Sequence, residues 1–259
     1  MKVKIKNIIY EIDPKEIDIS IPIQFNSKKN PKFYDNNNPS NVFYKDANLE
    51  YNINKNGPCN VPIIKMNIHC CGTHTETANH IIQKALTINK IKNFNFLICQ
   101  LVTINPESIN NESYHHPIES NEKVITKKIL KQKINNIDFS LIKSLIIRTT
   151  PNTHYKKKIN YNKQTYPFLT TNAVLYLKDL GIRNLLIDTP SIDRFNDDGI
   201  LGNHHIFFAE NGISNKNTLT ELVYVPNLYK DGLYLLNLGV PNFQLDAAPS
   251  RPILFKIIN

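Results

Sequence analysis

Tryptophan is missing from this chain, and methionine occurs only 2 times in 259 residues. Any aromatic surface offered to a ligand must therefore come from Phe, Tyr or His. No run of about eighteen apolar residues is present, which argues against a membrane-spanning helix. Cysteine is scarce as well, with 4 residues at positions 59, 70, 71 and 99. An adjacent pair in a chain of this size is not the pattern of a disulfide framework, so reduced thiols and a cytoplasmic protein are expected. The opening MKVKIKNIIYEIDP alternates lysine with aliphatics and reads as a first strand, not as a signal peptide. No internal repeat or clear linker divides the sequence, which reads as a single domain over residues 1–259.

Acidic residues are outnumbered, giving a formal net charge of +9 with dense basic runs at 127–133 (KKILKQK) and 154–163 (HYKKKINYNK). Such charge can mark an anionic partner. Here asparagine, isoleucine and lysine are raised along the whole chain, as drift of codons towards A and T would produce, and lysine gained that way is scattered. No RNP, zinc-finger or helix-turn-helix pattern accompanies it, so no nucleic-acid partner is expected.

What is present is a dense stretch from Asn67 to His80, NIHCCGTHTETANH, which holds three histidines, two cysteines and a glutamate. In an extended strand alternate side chains share a face, so Cys70, Gly72, His74 and Glu76 would point the same way. Thiol, imidazole and carboxylate together are the donors that bind a divalent metal such as zinc. Gly72 would leave room beside such a site. A buried strand with one satisfied histidine and inert core thiols explains each residue singly, but not the set.

Around that stretch, residues 2–12 and 17–23 read as strands and 25–39 as a solvated loop that could cover a site. Ile63 to Met66 leads as a strand into the histidines. NHIIQKAL (79–86) has a helical period from Ala78 on, with Thr77 or Asn79 as cap, which places His80 in a first helical turn. Residues 94–104 read as a central strand. His115 and His116 have no carboxylate at useful spacing and are taken as surface; 123–136 is partly a basic helix. SLIIRTT (144–150), TTNAVLYLKDLG (170–181) and NLLIDTP (184–190) form a strand, a helix capped by Thr170 and ended at Gly181, and a strand. This β-loop-α-β unit predicts an α/β fold, a mixed central β-sheet with flanking helices, and a site near the strand ends where Asp188 falls. TLTELVYVP, GLYLLNL and RPILFKI supply further strands. Glu221 interrupts the first of these, and its burial needs a partner.

GTHTE followed by a histidine, with LIIRTT, NLLIDTPSID and the closing LDAAPSRPILF, resembles the cyclase family of metal-dependent hydrolases, which includes kynurenine formamidases and isatin hydrolases. The resemblance runs from about residue 17 to 257, and DISIPI (18–23) is similar to the family's first strand. The family pattern is H-x-G-T-H-x-D-x-P-x-H. The resemblance implies the family's swivelling β/β/α fold. It also implies His74 and Glu76 as metal ligands, His80 as the catalytic histidine, and His204 and Glu221 as the later ligands, with His205 the alternative to His204. At the motif's first histidine the chain has Cys70, with His69 one position earlier, and Ala78 replaces the usual proline. Strand parity favours Cys70 as the ligand unless the strand bulges, and a thiolate favours zinc.

One or two ions held by this set would activate a water, and His80 would pass its proton to the leaving nitrogen. The resemblance implies hydrolysis of an N-formyl or cyclic amide, arylformamidase-like, acting on a small-molecule amide substrate, in a homodimer. A member of the fold without hydrolysis and a basic anion-binding module are the other classes that the sequence admits.

Overall fold

Residue-by-residue alternation in the long apolar strands decides the architecture. The computed structural model describes residues 1–5, 7–34, 37–92, 94–210 and 213–258. Nine strands form the main sheet: β1 (Ile17–Asp18), β2 (His74–Thr77), β3 (Leu97–Ile104), β4 (Ser144–Thr149), β5 (Asn184–Ile187), β6 (Thr218–Glu221), β7 (Gly232–Gly239), β8 (Ala247–Pro249) and β9 (Arg251–Lys256). Their spatial order is β8-β2-β6-β5-β4-β3-β7-β9-β1. The centre is parallel, from β3 through β4 and β5 to β6, and both flanks pair antiparallel.

Leu145, Ile147, Leu185 and Ile187 project into one apolar cluster, while Ile146 and Leu186 project into another on the opposite face. Both faces of the central strands are therefore covered, which is why these strands read as continuous apolar runs. Three helices lie over the first face: α1 (Lys127–Ile134), α2 (Thr171–Asp179) and α3 (Gly202–Phe208). They bury Leu130, Val174, Leu177 and Phe207 there, each worth about 1.5–3 kcal/mol of transfer free energy. Thr126 and Thr170 cap α1 and α2, accepting from Ile129 and Ala173 backbone N–H at 3.1 Å each. Gly181, at φ +72°, turns the chain out of α2 towards β5. The strand, capped helix and parallel strand expected over 144–190 are all present.

Four expectations are corrected. The first strand is a hairpin, Lys2–Ile5 against Ile8–Glu11, and the second shrinks to β1. Strand Pro62–Lys65 forms, but it pairs with Ser40–Phe43 in a separate ribbon and ends before the histidines. The helix after Ala78 is only a 3-10 turn, Ala78–His80. Ile81, Ile82 and Ala85 do face the core, as their spacing demands. Lys84, however, takes φ +62°, and the backbones of Ile88 and Asn89 donate to the carbonyls of Leu245 and Phe243. Only the Ile82 N–H keeps an α-helical bond, to the Ala78 carbonyl, and the chain then turns to pair with the 243–245 segment.

Candidate metal centre

At the β8–β2–β6 end of the sheet, side chains from five stretches of sequence meet. His74 and Glu76 lie two apart on β2 and so share a face, both fully buried. Pairing places Glu221, the last residue of β6, directly opposite His74. His74 Nε2 lies 3.4 Å from Glu221 Oε2. Its Nδ1 is 3.0 Å from the Gly72 carbonyl. A carbonyl can only accept, so Nδ1 carries the proton and the Nε2 lone pair faces the centre. The room at Gly72 is not free, since a Cβ there would come within 2.6 Å of Ile23.

His204 enters from the first turn of α3, buried, while its neighbour His205 is exposed. Asp193, from the DTPSID loop, fixes it. One oxygen accepts the backbone N–H of Asn203 (2.9 Å); the other accepts that of His204 (3.0 Å) and its Nδ1–H (2.6 Å). His204 Nε2 is left 3.0 Å from Glu76 Oε1 and 3.7 Å from Glu221 Oε1.

Cys70 is not where strand parity placed it. The chain makes a 3-10 turn over Ile68–Cys70, capped by the Asn67 side chain on the His69 N–H (3.2 Å), and β2 starts only at His74. This turn swings His69 inward, with Nδ1 3.1 Å from Glu76 Oε2. Among the described residues Cys70 joins no group of metal-ligating atoms; its carbonyl accepts from the Phe33 N–H instead. The four cysteines are all unbridged thiols.

His80 stacks on His69, ring centroids 4.2 Å apart, and its Nε2 is 3.9 Å from Glu76 Oε2. Asp246, just before β8, bridges the nitrogen edges of the two rings. Its Oδ2 accepts from His69 Nε2 (2.9 Å) and His80 Nδ1 (3.0 Å). The β8–β2 pairing, with Ala247 opposite Glu76, delivers it there. No local signal announces it beyond its place in LDAAPSRPILF.

Burial would raise the Glu76 carboxyl, but the imidazoles of His80, His204 and His69 overcome this and hold it well below its ordinary range. Glu221 is pushed the other way, by burial and by the Glu76 charge. Two buried carboxylates at close range cannot both stay ionised without a cation between them. His69, against the cost of its burial, is pushed up to about 10 by Asp246 and Glu76.

Three buried atoms that face this space have no hydrogen-bond partner among the described residues: His74 Nε2, Glu76 Oε1 and Glu221 Oε1. Glu76 Oε1 and His204 Nε2 are close, yet their alignment is not that of a hydrogen bond. Unpaired buried acceptors are costly, and a cation satisfies all of them at once. Ligand atoms of His69, His74 and Glu76 lie within 4.8 Å of one another, as do those of Glu76, His204 and Glu221. Glu76 belongs to both groups, and the donor set fits a divalent ion.

Two other expectations move. Asp188 does fall at the end of β5, but it is consumed by Lys156 Nζ (2.7 Å) and by the backbone N–H and hydroxyl of Thr149 (2.8 Å each). His115 is no surface residue without carboxylates: Asp193 (3.8 Å) and Asp197 (3.5 Å) reach it from distant sequence.

The sheet agrees with the comparisons. The cyclase family profile matches residues 17–194, and the chain belongs to that family. No curated protein sequence matches it. A predicted metal-dependent hydrolase from Bacillus stearothermophilus superposes with TM-score 0.59 at 20% identity, over 93% of this chain and 98% of that one. Isatin hydrolase A from Labrenzia aggregata gives 0.63 at 12% identity, over 94% of each chain. A novel cyclase gives 0.65 at 14%, over 95% and 90%. At these identities the likeness is one of fold. Among the described residues no helix is long and apolar enough to cross a membrane.

Proposed function

We propose that this protein is a metal-dependent amide hydrolase, arylformamidase-like, whose centre is held by His69, His74, Glu76, His204 and Glu221, with His80 as general acid and base. The observation that carries this reading is the set of unpartnered buried acceptors on His74, Glu76 and Glu221, framed by two further imidazoles. His69 takes the place expected of Cys70. The preference for zinc loses the thiolate on which it rested; three imidazoles and two carboxylates suit zinc or manganese, as one ion or as two sharing Glu76.

A bound divalent ion supplies Lewis acidity and lowers the pKa of a water. The residues of the chain do the remainder. Asp246 accepts from His80 Nδ1, so the Nε2 of His80 is the atom free to face the water. His80 takes a proton at Nε2 as the water oxygen bonds to the amide carbon. It returns that proton to the nitrogen as the C–N bond breaks, giving an amine and a carboxylic acid, which loses its proton to solvent to become the carboxylate. Asp193 holds His204 with Nε2 towards the centre, and the Gly72 carbonyl does the same for His74.

The test joins metal analysis to turnover of N-formylkynurenine, isatin and a panel of lactams. His80→Ala should keep its metal while kcat falls about a hundredfold to ten-thousandfold. Loss of metal in that variant would make His80 a ligand, and full activity would remove it from the mechanism. A homodimeric cytoplasmic enzyme is part of the same reading, and sedimentation of the purified protein checks the dimer.

A further inference from the structure

Beside the centre a cleft of about 820 Å³ opens, with His69 and Asp246 at its inner end. That is the size of a small-molecule site. Its walls come from residues 26, 28 and 37–40 of the asparagine-rich segment and from residues 65–68. No Phe, Tyr or Trp lines it. Pro39, Met66 and Ile68 supply its apolar side chains, and Asn26, Asn37, Asn38 and Asn67 its amides.

Among the described residues, the lining of the cleft holds one carboxylate, Asp246, whose Oδ2 is engaged by two imidazoles. Its ammonium groups are those of Lys28 and Lys65, one on each wall, both exposed. Among the described residues neither is in a salt bridge, whereas Lys45 and Lys55 on the neighbouring ribbon both pair with Glu50. A neutral aryl amide would rest on Pro39, Met66 and Ile68 alone. A substrate with a carboxylate away from its scissile bond finds two ammonium groups.

We infer that this cleft selects amide substrates that carry a carboxylate, bound by Lys28 and Lys65. The inference rests on the hydrolase reading for the reaction, but not for the binding. Each contact between a partly exposed lysine and a carboxylate is worth roughly threefold to fivefold in affinity, and the two together about tenfold. A contact of this kind weakens as salt screens it.

The experiment is calorimetric binding of anthranilate and aniline to the metal-loaded protein and to its Lys28→Gln/Lys65→Gln variant, with turnover of N-formylanthranilate and formanilide alongside. The expected result is tighter binding of anthranilate, an anthranilate-to-aniline ratio about tenfold lower in the variant, and a loss of preference in high salt. An unchanged ratio in the variant overturns the inference, since the carboxylate would then be held by the metal alone. Equal binding of the two probes by the wild type overturns it as well. If the preference holds and falls in the variant while neither formamide is cleaved, the hydrolase reading fails and the binding inference stands. If both formamides are cleaved with one specificity and the variant alters nothing, the hydrolase reading stands and the inference is wrong.

Discussion

Replacing Asp246 by alanine removes one carboxylate oxygen on which two imidazoles depend. Its Oδ2 accepts from His69 Nε2 at 2.9 Å and from His80 Nδ1 at 3.0 Å. With the carboxylate gone, neither ring has its proton fixed on the side away from Glu76. Asp246 is about a third exposed (32%), so each bond is discounted for solvent screening below the range for a charged acceptor, to about 1 kcal/mol. The two together give about 2 kcal/mol, or roughly thirtyfold. That falls within the tenfold to hundredfold range common for carboxylates that orient metal-bound histidines.

The loss should divide between metal affinity, through His69, and kcat, through His80. Chelator competition reads the first, and steady-state turnover of the metal-saturated variant reads the second. Asp246→Asn, which can keep an oxygen in the same place without the charge, should fall between wild type and alanine. In chelator-treated protein a pH dependence follows. His69 is pushed up to about 10 from 6.5, so its share of stability is full below pH 6.5 and is lost as pH rises through about 10. The Tm gap between wild type and Asp246→Ala should therefore narrow over that interval. An alanine variant with unchanged metal affinity and unchanged kcat would refute the reasoning, and a gap that widens with pH would refute the linkage.

Three further outcomes are expected. His69→Ala should lower bound metal far more than Cys70→Ala, because only His69 has a ligand atom close to His74 and Glu76; metal analysis of the two purified variants decides it, and the reverse order would mean that the turn at 68–70 opens. Asp193→Ala frees the His204 ring, held now at 2.6 Å, and removes a carboxylate that accepts two backbone N–H groups at the start of α3. A loss of roughly tenfold to a hundredfold in metal affinity is expected, together with a measurable drop in Tm. Lys156→Met leaves Asp188 buried without its cation, which should cost about 3–5 kcal/mol by denaturant titration at neutral pH. Burial already raises the Asp188 carboxyl against the pull of Lys156, so the deficit should shrink as pH falls and the group is neutralised.

The sequence by itself determined the parts that depend on neighbours along the chain. Alternating apolar residues at 145–147 and 185–187 face opposite sides of a sheet whatever it packs against. The capped helix 171–179 follows from Thr170, the spacing of 173, 174 and 177, and Gly181. His74 and Glu76 share a face because they are two apart on a strand, and the motif around them was enough to place the family. The tertiary structure alone decided which groups face that pair. Local periodicity extends the strand back to Cys70, but the turn at 68–70 breaks it and brings His69 inward. Periodicity also extends a helix past His80, where bonding to residues 243–245 wins. His204 over His205 is a matter of the orientation of α3, which Asp193 holds from ten residues upstream. Asp246 reaches His69 and His80 only because β8 pairs with β2, across some 170 residues of chain. A carboxylate carries no mark in sequence of the imidazole it will meet, since that meeting is made by strand pairing and not by chain neighbours.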